Sequence, residues 1–438
     1  MTPAVRFEAD IGIRSGRIAA IGAPGELGGS AAEVFEAGGL HVLPGCIDGH
    51  VHLREPGLEH KEDIASGTTA AVAGGVTTVL DMPNTLPPTG SAEAVLDKRR
   101  RIESSAFCDV GVFGLIGTNN LDQLPRMAEA GVVGFKCFLG ETSGGLAPPD
   151  DGTLLESLRT SARLGRRTAF HAENSAILQA CAQAVRSAGR TDPLAHAEAR
   201  PVIAEVEAIE RVGLLASEAG APVHIVHLSS RAGLASVRRW RDRGLDMTCE
   251  TAAQYVFLSV RDMARVGSLL RVNPPLREPE DAEALLHALA HQEITCIASD
   301  HAPHTPAEKL TTDIWQASSG LIGVETTLRL FLTHAVQAGR VSLEQYVRLS
   351  AEGPARTWGL YPRKGSIHVG ADADLVLIDL QRTGRIEGTR LHSKARLTPF
   401  EGWPTRGEPV ATVLRGGFVM RDGEVIGQPR GTLVPRSL

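Results

Sequence analysis

Aromatic residues make up only 4% of the 438-residue chain, so any interior must be filled by aliphatic side chains. No run of about 18 apolar residues occurs, which leaves no membrane-spanning helix to expect. The opening stretch MTPAVRFEADIGIRSG places acids and arginines where a secretory signal needs an unbroken apolar segment. We therefore expect a cytoplasmic protein. The six cysteines (Cys46, Cys108, Cys137, Cys181, Cys249 and Cys296) show no CxxC spacing, so neither a disulfide framework nor a thiolate zinc site is expected. The formal net charge of −6 provides no footprint for nucleic acid or for an anionic membrane. The partner to expect is a small-molecule substrate.

What is present is an ordinary globular composition, 42% hydrophobic and 22% charged, in a chain longer than one typical domain. The first forty residues read as short strands, with an alternation around Ala9 to Ile13, a turn at Ser15-Gly16 and a second run from Ile18 to Ile21. The same texture returns in ADADLVLIDL and in ATVLRGGFVMRDGEVI, which predicts a hairpin at Asp422-Gly423. Between the ends, apolar runs alternate with helical stretches: Thr77 to Leu80, Val110 to Leu115, Val133 to Phe138, Arg167 to His171, Val223 to Val226, Asp246 to Glu250 and Ile294 to Ala298. In PVIAEVEAIERVGLLASEAG, Ile203, Val206, Ile209, Val212 and Leu215 recur every third residue before Gly220, predicting a helix with that stripe buried. Regular strand-helix alternation without a GxGxxG loop predicts an α/β fold, a (β/α)₈ TIM-like barrel over residues 45–362. The flanking segments 1–44 and 363–438 are predicted to join in a small β-sandwich domain. The terminal LVPRSL resembles a protease-site scar and is given no structural weight.

In such a barrel, chemistry belongs at the carboxyl ends of the strands. His50 and His52 alternate on a strand and so point to one side, where neutral imidazoles can reach one metal ion. His171 ends RTAFHAEN, His227 ends PVHIVHLSS and Asp300 ends ITCIASDHAPH, so three further ligand types follow apolar runs. Lys136 sits inside the apolar VVGFKCFLG, where a bare ammonium is costly to bury. His224 lies two residues before its strand end and is left out of the set.

Taken in order, PGCIDGHVHLREPG, DMPNT, GFKCFLG, HAEN, HIVHLSS, RVNPPLR, SDHAPHTPAEK, GLIGVET and HSKARLTPFEGW resemble the amidohydrolase superfamily, and within it the dihydroorotases. The resemblance implies two zinc ions, one held by His50, His52 and Asp300 and the other by His171 and His227. Lys136 would be carboxylated and bridge them, with Asp48 in support. Asp300 would be the catalytic base of a reversible cyclic-amide hydrolysis serving pyrimidine biosynthesis. Arg54 offers a fork suited to a carboxylate. The resemblance assigns the substrate's carboxylate to Arg54, Asn84 and His304, and its ring to Asn273 and the backbone near Ile322 and Gly323.

Where many relatives carry a proline-histidine pair after CET, this chain has Ala253-Gln254-Tyr255. Glu141 to Gly152, rich in glycine and proline, is expected to be a loop over the site. A homo-oligomer, with a partner enzyme of the same pathway, is the expected assembly. Two alternatives stay open: a hydrolase of allantoin, hydantoin or a dihydropyrimidine, and a non-catalytic scaffold paralogue.

Overall fold

The computed structural model describes residues 1–27, 29, 31–140 and 145–434. Three short strands open the chain: β1 (Asp10–Arg14), β2 (Arg17–Gly22) and β3 (His41–Pro44). Eight strands then run parallel and in sequential order: β4 (Cys46–Val51), β5 (Val76–Asp81), β6 (Asp109–Ile116), β7 (Gly134–Phe138), β8 (Thr168–His171), β9 (Val223–Ile225), β10 (Met247–Thr251) and β11 (Cys296–Ile297). A parallel bridge from Val51 to His301, with the His52 N–H on the His301 carbonyl at 2.8 Å, closes the ring. Every residue of β4 to β9 is buried, as expected of strands covered by helices on one side and packed inside the barrel on the other. The apolar stretch HVLPGCI is divided between two sheets at Gly45, where a Cβ would lie 2.2 Å from the Thr77 hydroxyl oxygen.

The barrel interior is plugged from below by Trp358, which meets Phe113 edge-to-face at 4.7 Å. A Cβ on Gly134 would come within 2.9 Å of the Trp358 ring, so glycine there lets the indole seat. Outside the barrel, the helix Val202–Ala219 ends at Gly220 in the left-handed region, φ 63°. Its buried face is Ala204, Glu205, Ala208, Ile209, Val212, Gly213 and Ala216, whereas Ile203 is 57% exposed. The predicted stripe thus holds only in the middle. Three residues turn an α-helix by about 300°, so a strict three-residue repeat walks off the face, while the observed alternation of one and three advances by only about 40° per four residues.

The chain ends meet in a second sheet. β12 (Leu375–Arg385), β13 (Pro404–Leu414), β14 (Gly417–Arg421) and β15 (Glu424–Val425) form an antiparallel sheet with β3, in the order β15-β14-β13-β12-β3. Leu375, Leu377, Ala411 and Val413 pack toward the β1–β2 hairpin and Ile18, while Val376, Ile378 and Leu414 join the barrel-side core, the alternation a pleated sheet imposes. Tight turns occur at Ser15-Gly16 and Asp422-Gly423 as predicted, and also at Arg415-Gly416, all with both residues at positive φ. Leu433 and Val434 are structural: Thr432 and Val434 exchange backbone bonds with Val110 at 3.0 and 2.9 Å, so the tail lies beside β6. The rest of LVPRSL lies outside the described residues. No helix among the described residues is long and apolar enough to cross a membrane.

Candidate active site

The carboxyl ends of the barrel strands deliver the candidate ligands to one cavity. His50 lies on β4, Lys136 on β7 and His171 at the end of β8, while His52, His227 and Asp300 follow β4, β9 and β11. All six line the same cavity, together with Arg54, Asn84, Asn273 and Phe138. Arg54, His227 and Asp300 have φ of 65°, 37° and 49°, and left-handed backbone at non-glycine residues is a strain that functional sites characteristically hold.

Two groups of donors face each other. Asp300 Oδ1 stands 3.3 Å from His50 Nε2 and 3.4 Å from His52 Nε2, and one ligand atom from each of the three residues falls within 4.8 Å of the others. Across the cavity His171 Nδ1 and His227 Nε2 are 2.9 Å apart. Burial lowers the pKa of His52 to about 3 and holds those of His171 and His227 below the usual histidine range, so these rings present lone pairs rather than positive charge. Burial works against ionisation of Asp300, yet His50 and His52 beside it keep its carboxyl below the ordinary value. Lys136 is fully buried, and its Nζ has no hydrogen-bond partner. Burial brings its pKa down to about 8. Neutral imidazoles, a carboxylate and an unpartnered amine converging in one cavity form a donor set that suits divalent cations such as zinc.

The orienting groups behind these ligands are not evident from local sequence. Glu250 on β10 accepts from His50 Nδ1 at 2.7 Å, and its other oxygen meets His224 Nε2 at 3.0 Å. Glu173 meets His171 Nε2 at 2.9 Å and is itself clasped by Arg200. Although burial opposes it, Arg200 and His171 hold the Glu173 carboxyl well below the normal range. His52 Nδ1 rests on Asn84 Oδ1 at 2.7 Å. Asp48 accepts from the His50 and Ser299 N–H groups, each at 3.1 Å, tying β4 to the loop that carries Asp300. His301 turns away from the cavity toward Glu62, 3.5 Å from its Nε2. His224, Glu250 and Cys296 are a second buried group of donor atoms, behind the first.

At the mouth, Arg54 is 2% exposed. Its Nε donates to the Pro303 carbonyl at 3.2 Å, and Nη2 lies 3.1 Å from His304 Nε2. Lys61 Nζ is 3.2 Å from His304 Nδ1 and is ion-paired with Glu308 Oε1 at 2.7 Å. Asn273 Oδ1 is buried without a hydrogen-bond partner. Ile322 and Gly323 are not brought to the cavity wall, which Ser319 and Gly320 form instead. Ile322 packs on Leu391 and Ala395, and the Gly323 N–H donates to His301 Nδ1 at 3.2 Å. Tyr255 gives its hydroxyl to the Pro274 carbonyl at 2.9 Å and Gln254 bonds the Ser299 carbonyl at 3.2 Å, so both residues brace loops around the site. In the expected loop over the site, Glu141 to Gly144 lie outside the described residues. Leu146 and Ala147 line a side cavity that shares Phe138 with the main one.

The family model described as the amidohydrolase family matches residues 41–419. An allantoinase of Deinococcus radiodurans is 38% identical, covering 100% of this chain and 97% of that protein. A dihydroorotase of Methanothermobacter thermautotrophicus is 39% identical, covering 97% of this chain and 94% of its own. Among solved structures, the L-hydantoinase from Arthrobacter aurescens superposes with a TM-score of 0.95 at 35% identity, over 99% of this chain and 97% of that one. Allantoinase is the commonest name among the most similar curated relatives. With the family model spanning every strand of the barrel and the relatives matching nearly end to end, the chain belongs to the amidohydrolase family.

Proposed function

We propose that this chain is a binuclear metal hydrolase that opens and closes the ring of a cyclic ureide, and that the ring it prefers carries a carboxylate, as dihydroorotate does. The metal reading is supported by the two facing donor groups, His50, His52 and Asp300 on one side and His171 and His227 on the other. Lys136 would fit between them as a carbamate: its uncharged amine adds to carbon dioxide, one proton leaves, and the new carboxylate oxygens would face the ions in place of a buried amine. Two divalent ions held there, zinc by this reading, would supply an activated water and polarise the amide carbonyl. Asp300 takes the proton from the attacking water and delivers it to the departing ring nitrogen.

The observation that carries the substrate choice is Arg54, a buried guanidinium beside the candidate ligands, with His304 against its Nη2. A cation in that position is matched by an anion on the substrate. Asn84 and Asn273 then face the ring. A second reading, hydrolysis of allantoin or a hydantoin, rests on the names of the relatives and is at least as well supported by them. The experiment is a substrate panel with zinc-loaded protein: dihydroorotate, carbamoyl aspartate, allantoin, hydantoin and dihydrouracil, followed by absorbance or by colorimetry of the carbamoyl product. Preferred turnover of the carboxylated pair is expected. Preferred turnover of a neutral ring would establish the second reading in its place.

A further inference from the structure

The two ligand groups are backed by carboxylates of different charge balance. Behind His171, Glu173 is fully buried and in ion pairing with Arg200, whose Nε lies 3.2 Å from both carboxylate oxygens. The anion behind the His171/His227 pair is therefore neutralised. Behind His50, Glu250 is 1% exposed, and its partners are two histidines, His50 at 2.7 Å and His224 at 3.0 Å. Among the described residues no lysine or arginine pairs with it. His224 is itself kept from protonating, chiefly by burial, and its Nδ1 is engaged with the Thr248 hydroxyl at 2.8 Å.

A carboxylate hydrogen-bonded to a ligating imidazole fixes the tautomer, aims the other nitrogen and raises its basicity. A neutralising cation behind that carboxylate weakens the effect, because the ligand then feels the field of an ion pair rather than of an anion. Lys136 faces both groups; beyond it, Asp300 and Glu250 contribute two negative groups around His50 and His52 and Arg54 one positive, whereas around His171 and His227 Glu173 and Arg200 cancel. We propose that Glu250, oriented by His224, is the positioning residue that makes the His50/His52/Asp300 site the tight one of the two, so that the ions leave in a fixed order, the His171/His227 ion first.

The inference rests on the two-ion reading above, and the experiment separates the two. Zinc-loaded protein is diluted into excess chelator and zinc release is followed with a chromogenic indicator, alongside total metal content and far-UV circular dichroism. Wild type is expected to release zinc in two phases, and His227→Asn to retain only the slow one. Glu250→Gln keeps an acceptor for His50 but loses the charge, and its slow phase is expected to accelerate about tenfold or more, the usual scale for such outer partners, while the fast phase stays. His224→Ala, which touches no ligand, should accelerate the slow phase by a smaller factor, and His224→Gln, which restores a donor to Glu250, should return it toward wild type. His224→Ala decides the matter should Glu250→Gln not fold. Equal acceleration of both phases, or an unchanged slow phase in Glu250→Gln and His224→Ala, overturns the inference while leaving two bound ions in place. Absence of stoichiometric zinc in wild type overturns the two-ion reading itself.

Discussion

Replacing Lys136 by methionine should make the metal-free protein more stable and the enzyme inactive. The lysine is fully buried, its Nζ lies 4.9 Å from the Phe138 ring centroid and has no hydrogen-bond partner among the described residues, and burial lowers its pKa from 10.5 to about 8. That gap corresponds to about 3 kcal/mol of destabilisation carried by the charged form. The sign follows from linkage: below pH 8 the lysine is protonated in both folded and unfolded chains and the full penalty applies, whereas between pH 8 and 10.5 the unfolded chain binds more protons and stability rises with pH. Methionine matches the length of the lysine stem without the charge, so in metal-free, carbon dioxide-free buffer at pH 7 it should gain up to about 3 kcal/mol, a gain that shrinks to near zero by pH 10.5. Urea unfolding at pH 7 and at pH 10.5 measures the two values, and zinc-loaded turnover should fall by about a thousandfold, the scale at which a group acting in the reaction itself is lost. A Lys136→Met protein that is less stable than wild type at pH 7, or that keeps full turnover, would refute the account of this residue.

Arg54→Gln should lower kcat/KM for a carboxylated ring by about 100-fold, the loss of one or two charge-assisted hydrogen bonds at about 1.5–3 kcal/mol each, with turnover of neutral rings changed by less than about threefold. Equal losses on both, in steady-state assays, would remove Arg54 from substrate recognition. Asp300→Asn should cut kcat by about 10²–10⁴-fold through loss of the base, and a pH-rate profile that keeps its acidic limb in this variant would argue for another base. Gly213→Ala should destabilise the protein by about 1–3 kcal/mol in chemical denaturation, because the added methyl would sit 2.2 Å from the Trp240 ring; an unchanged midpoint would mean that the indole moves at no cost.

Much of the barrel was legible because strands buried on both sides must be written as short apolar runs, and from Thr77 to Ile297 those runs were punctuated by helical periodicity. The residues that gather at the cavity were legible because His, Asp and Lys at the ends of such runs have few structural reasons to be there. Local pattern could not reveal the groups that orient them. Glu250 is 200 residues from His50, and only barrel closure brings them together; Arg200 likewise reaches Glu173 from the loop before a helix. Glu250 lies one residue before the end of MTCET, whereas His171 is the last residue of its strand. His301 adjoins Asp300 in sequence, yet the left-handed backbone at Asp300 separates the two side chains and its ring faces Glu62. Leu433 and Val434 looked dispensable because their partner, Val110, is far away in sequence. The helical stripe from Ile203 failed for the opposite reason: the residues that pack include Ala204, Ala208, Gly213 and Ala216, small side chains that leave room for Trp240 and carry little hydrophobic signal.

The most direct test of the binuclear site is anomalous scattering at the zinc edge from crystals of the zinc-loaded protein. The account predicts two peaks in the cavity, one among His50, His52 and Asp300 and one between His171 and His227, with density extending from Lys136 Nζ toward both. A single peak, or ions held elsewhere with a bare Lys136, would contradict it.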